Sequence, residues 1–511
     1  MSVDLVTDIP SSSNARSAIL TLDVGLTNCK ASLFDLHGQC LGYAASSYST
    51  YSPEPGWSEQ DPDEWWKAIC KCNRKLLAQP GCQEVEILGI STTAHMHGLI
   101  AIDQQGNRLT RCWTLFDNRA ETIMPELISR VSQSIAYQIT GGRLEAYTPA
   151  AKIFWMQHNL PDLFARADCF LAPKDFIRHQ LGGEIVTDPI DAAGTLLYNL
   201  RYKDWSDELL AAVGIPAYRL PRVTSTTALA GSLSPTAAHQ LGLKAGIPLI
   251  TGAGDDVEAL GAGLTSPGQV LEHIGTTGTL IACTDQFLID EHQAVELYPH
   301  VIPGLYLVGG STNAAGRSLN WGSRLLYAGH KKSVELPLIY PDTEPAIPHP
   351  IFLPFILGER GLLWDGKATG MFLGLCENHS QAELARAIYE GVGFSLREIL
   401  EAVKRLGLVP IQLVSGGSHH NLAWGRLRAD IYQMTLHYPN QPDLTGLGAA
   451  MLGMVALGAY SDLLTAAAHC CSLTSQVEPD PERIVQIDQQ WTCYQAAMHL
   501  GKPILPLFYR E

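Results

Sequence analysis

The segment VLEHIGTTGTLIACTD at residues 270–285 decides the fold, because it repeats the plan of AILTLDVGLTNCKASLFD at residues 18–35. When the two segments are aligned, Gly25 falls on Gly275. Each copy is an apolar run, a Gly/Thr turn and a second apolar run, which is typical of two strands joined by a tight turn. The same strand–turn–strand unit in both halves of the chain predicts a duplicated architecture.

Composition limits the class of protein. With 511 residues the chain exceeds what one hydrophobic core usually supports, so two domains are expected. The formal net charge of −16 disfavours nucleic acid and anionic membranes as partners. The 12 cysteines form no C-x-x-C pair, which predicts reduced thiols, no zinc site and a cytoplasmic protein. The polar residues 1–17 are interpreted as a disordered leader and not as a signal peptide.

The two halves show the same mixture of elements. Strands are predicted at 18–23, 30–36, 40–45, 86–91 and 98–103 in the first half, and at 248–251, 269–274, 279–283, 305–309 and 411–417 in the second. Helices alternate with these strands, which predicts α/β domains. We therefore expect two duplicated α/β domains, at 18–264 and 265–511, with a ligand cleft between them.

The sequence also predicts where two helices begin and how one long apolar segment is placed. Asp61 with Glu64, and Ser380 with Glu383, have the spacing of capping boxes that begin two helices. The uncharged segment 444–460 is short for a bilayer crossing and rich in glycine. It predicts a buried helix that packs closely through its small residues.

Two consecutive acids follow an apolar strand in PLITGAGDDVEALGAG, residues 248–263. Asp255 and Asp256 at the mouth of such a strand are candidates for a catalytic carboxylate. The alternative is that one of them only caps the helix that begins there. Because Gly/Thr turns expose backbone N–H groups and hydroxyls, the two duplicated turns are candidate phosphate sites, although the chain has no G-x-x-x-x-G-K-[ST] motif.

Several long motifs, in order, carry a family resemblance. The chain resembles the FGGY carbohydrate kinases, the sugar-kinase branch of the actin-like, ribonuclease-H-like ATPases, over about residues 18–500, and is most similar to xylulokinases. The motifs are WSEQDPDEWW (57–66), MHG (96–98), LAPKDFIRHQLGGE (171–184), TDPIDAAGTLLYNL (187–200), DWSDELL (204–210), GAGDD (252–256), GTTG (275–278), LPFILGER (353–360), ELARAIYEGVGF (383–394) and SGGSHHN (415–421). On this resemblance, the duplicated turns are the two phosphate loops of a split ATP site.

The resemblance implies a role for each residue that falls on a family motif. Asp255 is expected to be the general base, and Asp23 to hold Mg²⁺ through water, with a turn-capping role as its alternative. The expected sugar contacts are Met96, His97, Asp117 and Asp256. The expected ATP contacts are Gly25, Thr27 and Lys30 in the first loop, Gly275, Thr276 and Thr277 in the second, and Gly316, Asn320, Gly417, Ser418 and Asn421 around the ribose and adenine.

The chain also departs from the family pattern. Leu26 stands where a small hydroxyl residue is usual in the first loop, and Asp256 stands in place of the common Asn after the base. FDNR at 116–119 replaces the xylulokinase-type W-N-D-x-R and is similar to the A-D-N-R of gluconate kinases, while GERGLLW at 358–364 lacks the usual Thr-Pro. Most of these changes fall in the expected sugar pocket, so they bear on the substrate more than on the reaction.

The resemblance therefore implies an ATP- and Mg²⁺-dependent kinase for a small sugar, with D-xylulose and its 5-phosphate as the expected substrate and product. A kinase for gluconate or for another ketose or polyol is the alternative within the family. A catalytically silent sugar-binding sensor on the same scaffold is the alternative of a different class. The expected partners are the sugar and ATP, with a homodimer left open.

Overall fold

The chain forms two compact units. The computed structural model describes residues 16–327, 338, 349–361, 363–417 and 421–509. The first unit consists of the described residues up to Thr265 together with Leu297–Tyr306 and Asp443–Ser472. The second unit consists of the described residues of Ser266–Glu296, Leu307–Pro442 and Leu473–Glu511. Apart from Arg16 and Ser17, the leader expected at 1–17 lies outside the described residues, and Ser17 already belongs to a strand.

The compact units differ from the predicted domains at two segments. The sequence prediction assigned everything after residue 264 to the second domain, whereas Leu297–Tyr306 and Asp443–Ser472 group with the first unit. The reason is packing. Apolar residues of the helix over Leu444–Ala456 share one buried cluster with Ile19 and Ile250, which lie on strands of the first sheet.

The strands, in chain order, are β1 Ser17–Val24, β2 Asn28–Asp35, β3 Cys40–Ser47, β4 Thr50–Tyr51, β5 Glu59–Gln60, β6 Glu86–Ala94, β7 Ile100–Ile102, β8 Cys112–Trp113, β9 Cys169–Leu171, β10 Val186–Thr187, β11 Tyr198–Asn199, β12 Asp204–Trp205, β13 Arg222–Val223, β14 Leu229–Ser232, β15 Pro248–Ile250, β16 Gln269–Ile274, β17 Gly278–Thr284, β18 Glu296–Pro299, β19 Tyr306–Thr312, β20 Ile351–Leu353, β21 Met371–Leu373, β22 Gln412–Gly417, β23 Leu436–Pro439 and β24 Leu473–Val477.

The α-helices are α1 Pro62–Leu77, α2 Met124–Arg130, α3 Gln133–Thr140, α4 Pro149–Asn159, α5 Pro161–Arg166, α6 Pro173–Leu181, α7 Pro189–Gly194, α8 Asp207–Val213, α9 Pro235–Leu241, α10 Glu258–Gly261, α11 Gly316–Leu326, α12 Gln381–Arg405, α13 Leu422–Tyr432, α14 Leu444–Ala456, α15 Leu463–Cys470 and α16 Pro481–Gly501. Short 3₁₀ helices lie at Arg119–Ile123, Ala217–Arg219, Asp255–Val257 and Leu505–Phe508.

The two main sheets have the same strand order apart from one additional edge strand, β18, in the second, which supports the duplication. The first has the strand order β14-β15-β6-β1-β2-β3, and the second has the order β18-β19-β17-β16-β22-β23-β24. In each sheet a hairpin, β1–β2 or β16–β17, pairs in parallel with a later strand on its other side, β6 or β22. A further parallel strand follows in each case, β15 or β23. The predicted α/β class is therefore confirmed in both units.

Helix α14 is the buried helix expected from the apolar run. It packs against α10 through glycines on both helices. A side chain on Gly261 would lie 1.9 Å from the Leu444 carbonyl oxygen, and one on Gly448 would lie 2.2 Å from that of Val257. Only glycine permits this backbone approach. No helix in the described ranges is both long and apolar enough to span a membrane.

The two capping predictions have different outcomes. Ser380 and Glu383 form the predicted capping box at the start of α12. Asp61 caps α1 through the Asp63 N–H, but Glu64 does not complete a box. The Glu64 carboxylate instead accepts hydrogen bonds from the Tyr51 hydroxyl and the Ser49 N–H. The capping-box pattern considers only residues of the helix itself, so it cannot predict that donors from residues 49 and 51 bind the Glu64 carboxylate instead.

Candidate functional site

Three parallel strands of the first unit end at the same edge of the sheet. Because β1 and β15 both run parallel to β6, their carboxyl ends lie together. Asp23 lies at the end of β1, His97 follows β6, and Asp255 follows β15. Ligands of open α/β sheets bind at this edge. We therefore take the edge as the candidate active site of the first unit.

The first Gly/Thr turn carries a charge pair at its base. Asp23 and Lys30 face each other across β1 and β2, and the Lys30 Nζ lies 3.7 Å from Asp23 Oδ2 and 3.6 Å from Asp443 Oδ1. Gly25 closes the turn by donating its N–H to the Asn28 carbonyl oxygen at 3.0 Å. The exposed side chain of Thr27 lies at the tip of the turn.

Asp23 lies in an excess of negative charge. The pKa of Asp23 is raised to about 6: burial is the largest cause, Lys30 opposes it, and the carboxylates of Asp443 and Glu258 add to it. This surplus of anionic oxygen donors suits a hard divalent cation, so the residues fit the expected Mg²⁺. No group of three or more metal-ligand side chains occurs in the described part of the chain, and Asp23 stays the predicted Mg²⁺ contact.

Asp255 does not cap a helix. The 3₁₀ turn over Asp255–Val257 has Gly254 as its N-cap, and α10 has Val257, so neither Asp255 nor Asp256 occupies a capping position. The side chain of Asp255 is exposed to solvent. The capping alternative is therefore wrong, and the carboxylate is available for chemistry.

The environment of Asp255 favours its protonated form. The surrounding protein, by partial desolvation, raises the pKa of Asp255 well above its usual range, and the charges of Asp256, Asp23 and Glu258 add to this effect. Burial and Glu258 likewise raise the pKa of Asp256 to about 6. A carboxylate with a raised pKa binds a proton more strongly, which suits a general base.

Met96 lies against the residue that precedes this carboxylate, and His97 is the next residue in the loop that follows β6. A side chain on Gly254, the residue before Asp255, would lie 2.6 Å from the Met96 Cγ. His97 has a φ of +61°, and its ring Nδ1 lies 2.8 Å from the Gly194 carbonyl oxygen. The ring makes edge contacts with the nearby tyrosines Tyr147 and Tyr298.

Asp117 is buried, in contrast to the solvent-exposed Asp255. Its side chain is 0% exposed. Oδ1 accepts hydrogen bonds from Arg119 Nε and N, while Oδ2 accepts from Arg119 Nη2 and the Ser58 N–H. The Arg119 guanidinium also lies 3.8 Å from the Trp57 ring centroid and 3.9 Å from that of Trp113. Because these bonds occupy both oxygens, the geometry favours a positioning role for Asp117, and the expected sugar contact stays a prediction.

In the second unit, the Gly/Thr turn is attached to the start of a helix. Gly275 donates its N–H to the Thr277 carbonyl oxygen at 2.9 Å, which closes the turn between β16 and β17. Gly316 and Arg317, at the start of α11, donate their N–H groups to the carbonyl oxygens of Gly275 and Thr276. The exposed Thr276 side chain lies at the tip of the turn.

Gly417 lies against the same turn. It ends β22 next to Ile274 of β16, and a side chain at its φ of +88° would lie 2.5 Å from the Ile274 carbonyl oxygen. Asn421 caps α13 through the Ala423 and Trp424 N–H groups, and Asn320 is exposed on α11. Ser418 lies outside the described residues.

Lys152, on α4, is a buried cation that the sequence did not indicate. It is 0% exposed, and its Nζ donates to the carbonyl oxygens of His97, Trp113 and Thr114 at 2.9, 3.1 and 2.7 Å. Burial lowers the pKa of Lys152 to about 7 despite the charge of Asp117, whereas its three carbonyl acceptors match the protonated form, in which all three N–H groups donate. In the sequence, a lysine between apolar helical residues has the pattern of an ordinary amphipathic helix, and no local signal distinguishes it.

Comparison with known proteins agrees with this arrangement. The N-terminal domain profile of the FGGY family of carbohydrate kinases matches residues 18–261, and the C-terminal domain profile matches residues 272–457. The xylulose kinase of Escherichia coli is 31% identical over 447 residues, which is 87% of this chain and 91% of the relative. This chain belongs to the FGGY family of carbohydrate kinases.

Two further relatives extend the comparison. The gluconokinase of Bacillus subtilis is 28% identical to this FGGY kinase over 454 residues, covering 86% of this chain and 88% of the relative. The ligand-bound xylulose kinase of Lactobacillus acidophilus has a TM-score of 0.87 at 25% identity, over 96% of this chain and all of the other. The predicted family and its two-domain actin-like ATPase fold are thus confirmed, and kinases of this family use ATP as the phosphate donor.

Proposed function

We propose that this FGGY kinase transfers the γ-phosphate of ATP to the 5-hydroxyl of D-xylulose, with Asp255 as the general base. The observation that carries the proposal is the Asp255 carboxylate: it reaches solvent at the carboxyl end of β15, caps no helix, and has a raised pKa. A sugar hydroxyl is a weak nucleophile, and a carboxylate that accepts its proton as the O–P bond forms makes it a stronger one.

The remaining assignments are part of the same proposal. Met96 and His97 hold the sugar beside Asp255. The nucleotide is bound by the turn of Gly275, Thr276 and Thr277, by Gly316, which donates to the Gly275 carbonyl oxygen, and by Gly417, which lies against Ile274 just before the turn. The family positions Asn320, Ser418 and Asn421 complete the nucleotide site. In the first unit, Gly25, Thr27 and Lys30 contact phosphate, and Asp23 holds Mg²⁺ through water. When bound, Mg²⁺ neutralises part of the charge on the transferred phosphoryl group.

Charge supports a neutral sugar over an aldonate. Asp255 lies within the field of Asp23, Asp256 and Glu258, each of which raises its pKa. The carboxylate of gluconate would be repelled by this field, whereas a ketopentose carries no charge. The similarity to a gluconokinase and the FDNR sequence at 116–119 nevertheless make gluconate the second candidate.

The test is ADP release over a panel of D-xylulose, D-ribulose, D-gluconate, xylitol and glycerol at pH 7.5. We expect the highest kcat/KM with D-xylulose. A higher kcat/KM with gluconate would overturn the substrate assignment. Sugar binding by calorimetry without ADP release from any of the five compounds would favour the sensor alternative.

Asp255→Asn tests the base. The amide accepts no proton, so we expect kcat to fall by about 10²- to 10⁴-fold while sugar and nucleotide still bind. Turnover within about tenfold of the wild type would assign the base elsewhere.

A further inference from the structure

The ammonium group of Lys152 connects two loops at the candidate sugar site. Its three N–H donors match three backbone carbonyl oxygens, one on His97 and two on Trp113 and Thr114. No carboxylate within the described residues lies within 4.0 Å of its Nζ, so Lys152 is not half of an ion pair. A buried cation without a contacting counter-ion is costly, and it is retained here with all its donors in use.

Each of these carbonyl oxygens belongs to a segment that carries a candidate sugar residue. The His97 carbonyl is part of a residue with a left-handed φ of +61°, a conformation that is uncommon for residues other than glycine. The Thr114 carbonyl oxygen also accepts the Asp117 N–H at 3.0 Å, and the Trp113 carbonyl oxygen also accepts the Leu99 N–H at 3.0 Å. Lys152 therefore donates to carbonyl oxygens of both loops, and two of these oxygens also accept backbone hydrogen bonds that shape the loops.

Helix α4 contributes a second contact to the same loops. The Trp155 ring lies edge-on to the rings of Trp57 and Trp113, at 5.5 and 5.7 Å between centroids. Lys152 and Trp155 are three residues apart and thus lie on one face of α4. Through this face, Lys152 and Trp155 both contact the loop that begins at Trp113.

We propose that Lys152 is the positioning residue of the sugar subsite, holding the loop of Met96 and His97 in register with the loop that leads to Asp117. Lys152 does not touch the sugar; it acts through the three carbonyl oxygens. The inference rests on the proposed function, because it requires the sugar to bind beside Met96 and His97. It also predicts that the effect of Lys152 is confined to the sugar and does not extend to the nucleotide.

Lys152→Met is the test, because methionine preserves most of the side-chain volume and removes all three donors. We expect the KM for the best sugar of the panel to rise roughly 10- to 100-fold, as displaced substrate-binding loops would cause, while the KM for ATP changes by less than about twofold. Asn73→Leu is the matched control: Asn73 is buried in the same unit and donates to the Leu241 carbonyl oxygen between α1 and α9. It should lower stability without raising the sugar KM.

An unchanged sugar KM in Lys152→Met, or an equal rise in both KM values, would overturn the proposal. If the variant does not fold, hydrogen exchange of the wild-type enzyme decides the matter. Sugar binding should then protect segments 95–99 and 112–117 together, and protection of only one segment would contradict the connection through Lys152. If the wild-type enzyme phosphorylates no sugar of the panel, both the proposed function and the inference about Lys152 are wrong. If it phosphorylates a sugar and Lys152→Met has an unaltered KM for that sugar, only the inference about Lys152 is wrong.

Discussion

At the scale of single residues, Asp256 is one of the positions where this chain departs from the expected family pattern. Asp256 stands where the family commonly has Asn, and its charge is among the causes that raise the pKa of Asp255. The ionised form of Asp255 is the one that accepts a proton, so activity should rise with pH through the pKa of Asp255. The extra carboxylate moves this rise to a higher pH.

Asp256→Asn tests this effect. Removing the neighbouring charge lowers the pKa of Asp255, and the acidic limb of the kcat/KM profile should shift to lower pH. Steady-state rates between pH 5 and 9 measure the limb, with the wild type as reference. A limb that stays in place, or moves to higher pH, would contradict the electrostatic coupling of the two carboxylates.

The same substitution has a consequence for stability. Burial and Glu258 raise the folded-state pKa of Asp256 to about 6, so ionisation of Asp256 opposes folding. This loss of stability develops as pH rises from the usual range of an aspartate through about 6, and is complete above it. Asp256→Asn should therefore raise the melting temperature at pH 8 more than at pH 5, whereas an equal change at both values would point to a packing effect.

At the scale of elements, the turn between β16 and β17 is held from both sides. Gly316 and Arg317 of α11 donate to its carbonyl oxygens, and Glu272, one strand position before His273, accepts from Ser415 Oγ at 2.9 Å and from the Tyr432 hydroxyl at 2.6 Å. Such a fixed turn can present its threonines to phosphate at little entropic cost.

Thr277→Val tests whether this turn binds nucleotide. Loss of the hydroxyl should weaken ATP binding by roughly tenfold, the effect of about one hydrogen bond to a charged group, and leave sugar affinity unchanged. Thr279→Val is the matched control, because the Thr279 hydroxyl lies 3.0 Å from Ser311 Oγ within the same sheet. Calorimetry that finds equal nucleotide affinity in both variants would remove the turn from the site.

The close contact between α10 and α14 includes Val257, which ends the 3₁₀ turn that carries Asp255. Gly→Ala inside a helix usually stabilises it, but at Gly448 the new methyl group would lie 2.2 Å from the Val257 carbonyl oxygen. Gly448→Ala should therefore destabilise the first unit by about 1–3 kcal/mol and lower kcat, since α10 directly follows the 3₁₀ turn that carries Asp255 and Asp256. Thermal unfolding measures this, with Gly366→Ala, where a side chain meets open space, as the control. A stabilised variant would refute the close packing.

At the scale of the whole molecule, the two candidate sites belong to different compact units. Sugar should protect the amides of 94–98 and 251–257, and a non-hydrolysable ATP analogue those of 274–279 and 314–318. At 100 times its Kd, either ligand should stabilise the unit that binds it by about 2.7 kcal/mol. Hydrogen exchange with each ligand alone measures the protection, and sugar protection limited to the second-unit segments would contradict the assignment.

The repeated hairpins, the α/β class and the family could be predicted from the sequence alone, because alternating apolar runs, turn residues and ordered motifs are local features. The predicted strands at 18–23 and 269–274 correspond to β1 and β16, and Ser380 with Glu383 forms the predicted capping box of α12. The acids at 255 and 256 were also visible as candidates, since they follow an apolar strand. What remained open was whether they capped a helix or faced solvent.

The features that depend on contacts between distant segments became visible only in the folded structure. It placed Asp443–Ser472 in the first unit, turned Glu64 away from a capping box, buried Asp117 against Arg119, and brought Lys152 to three carbonyl oxygens. None of these follows from residue type or spacing, because side chains such as Lys and Asp are polar wherever they lie in the sequence. Their roles come from the partners that folding brings within hydrogen-bonding distance and from the water that it excludes.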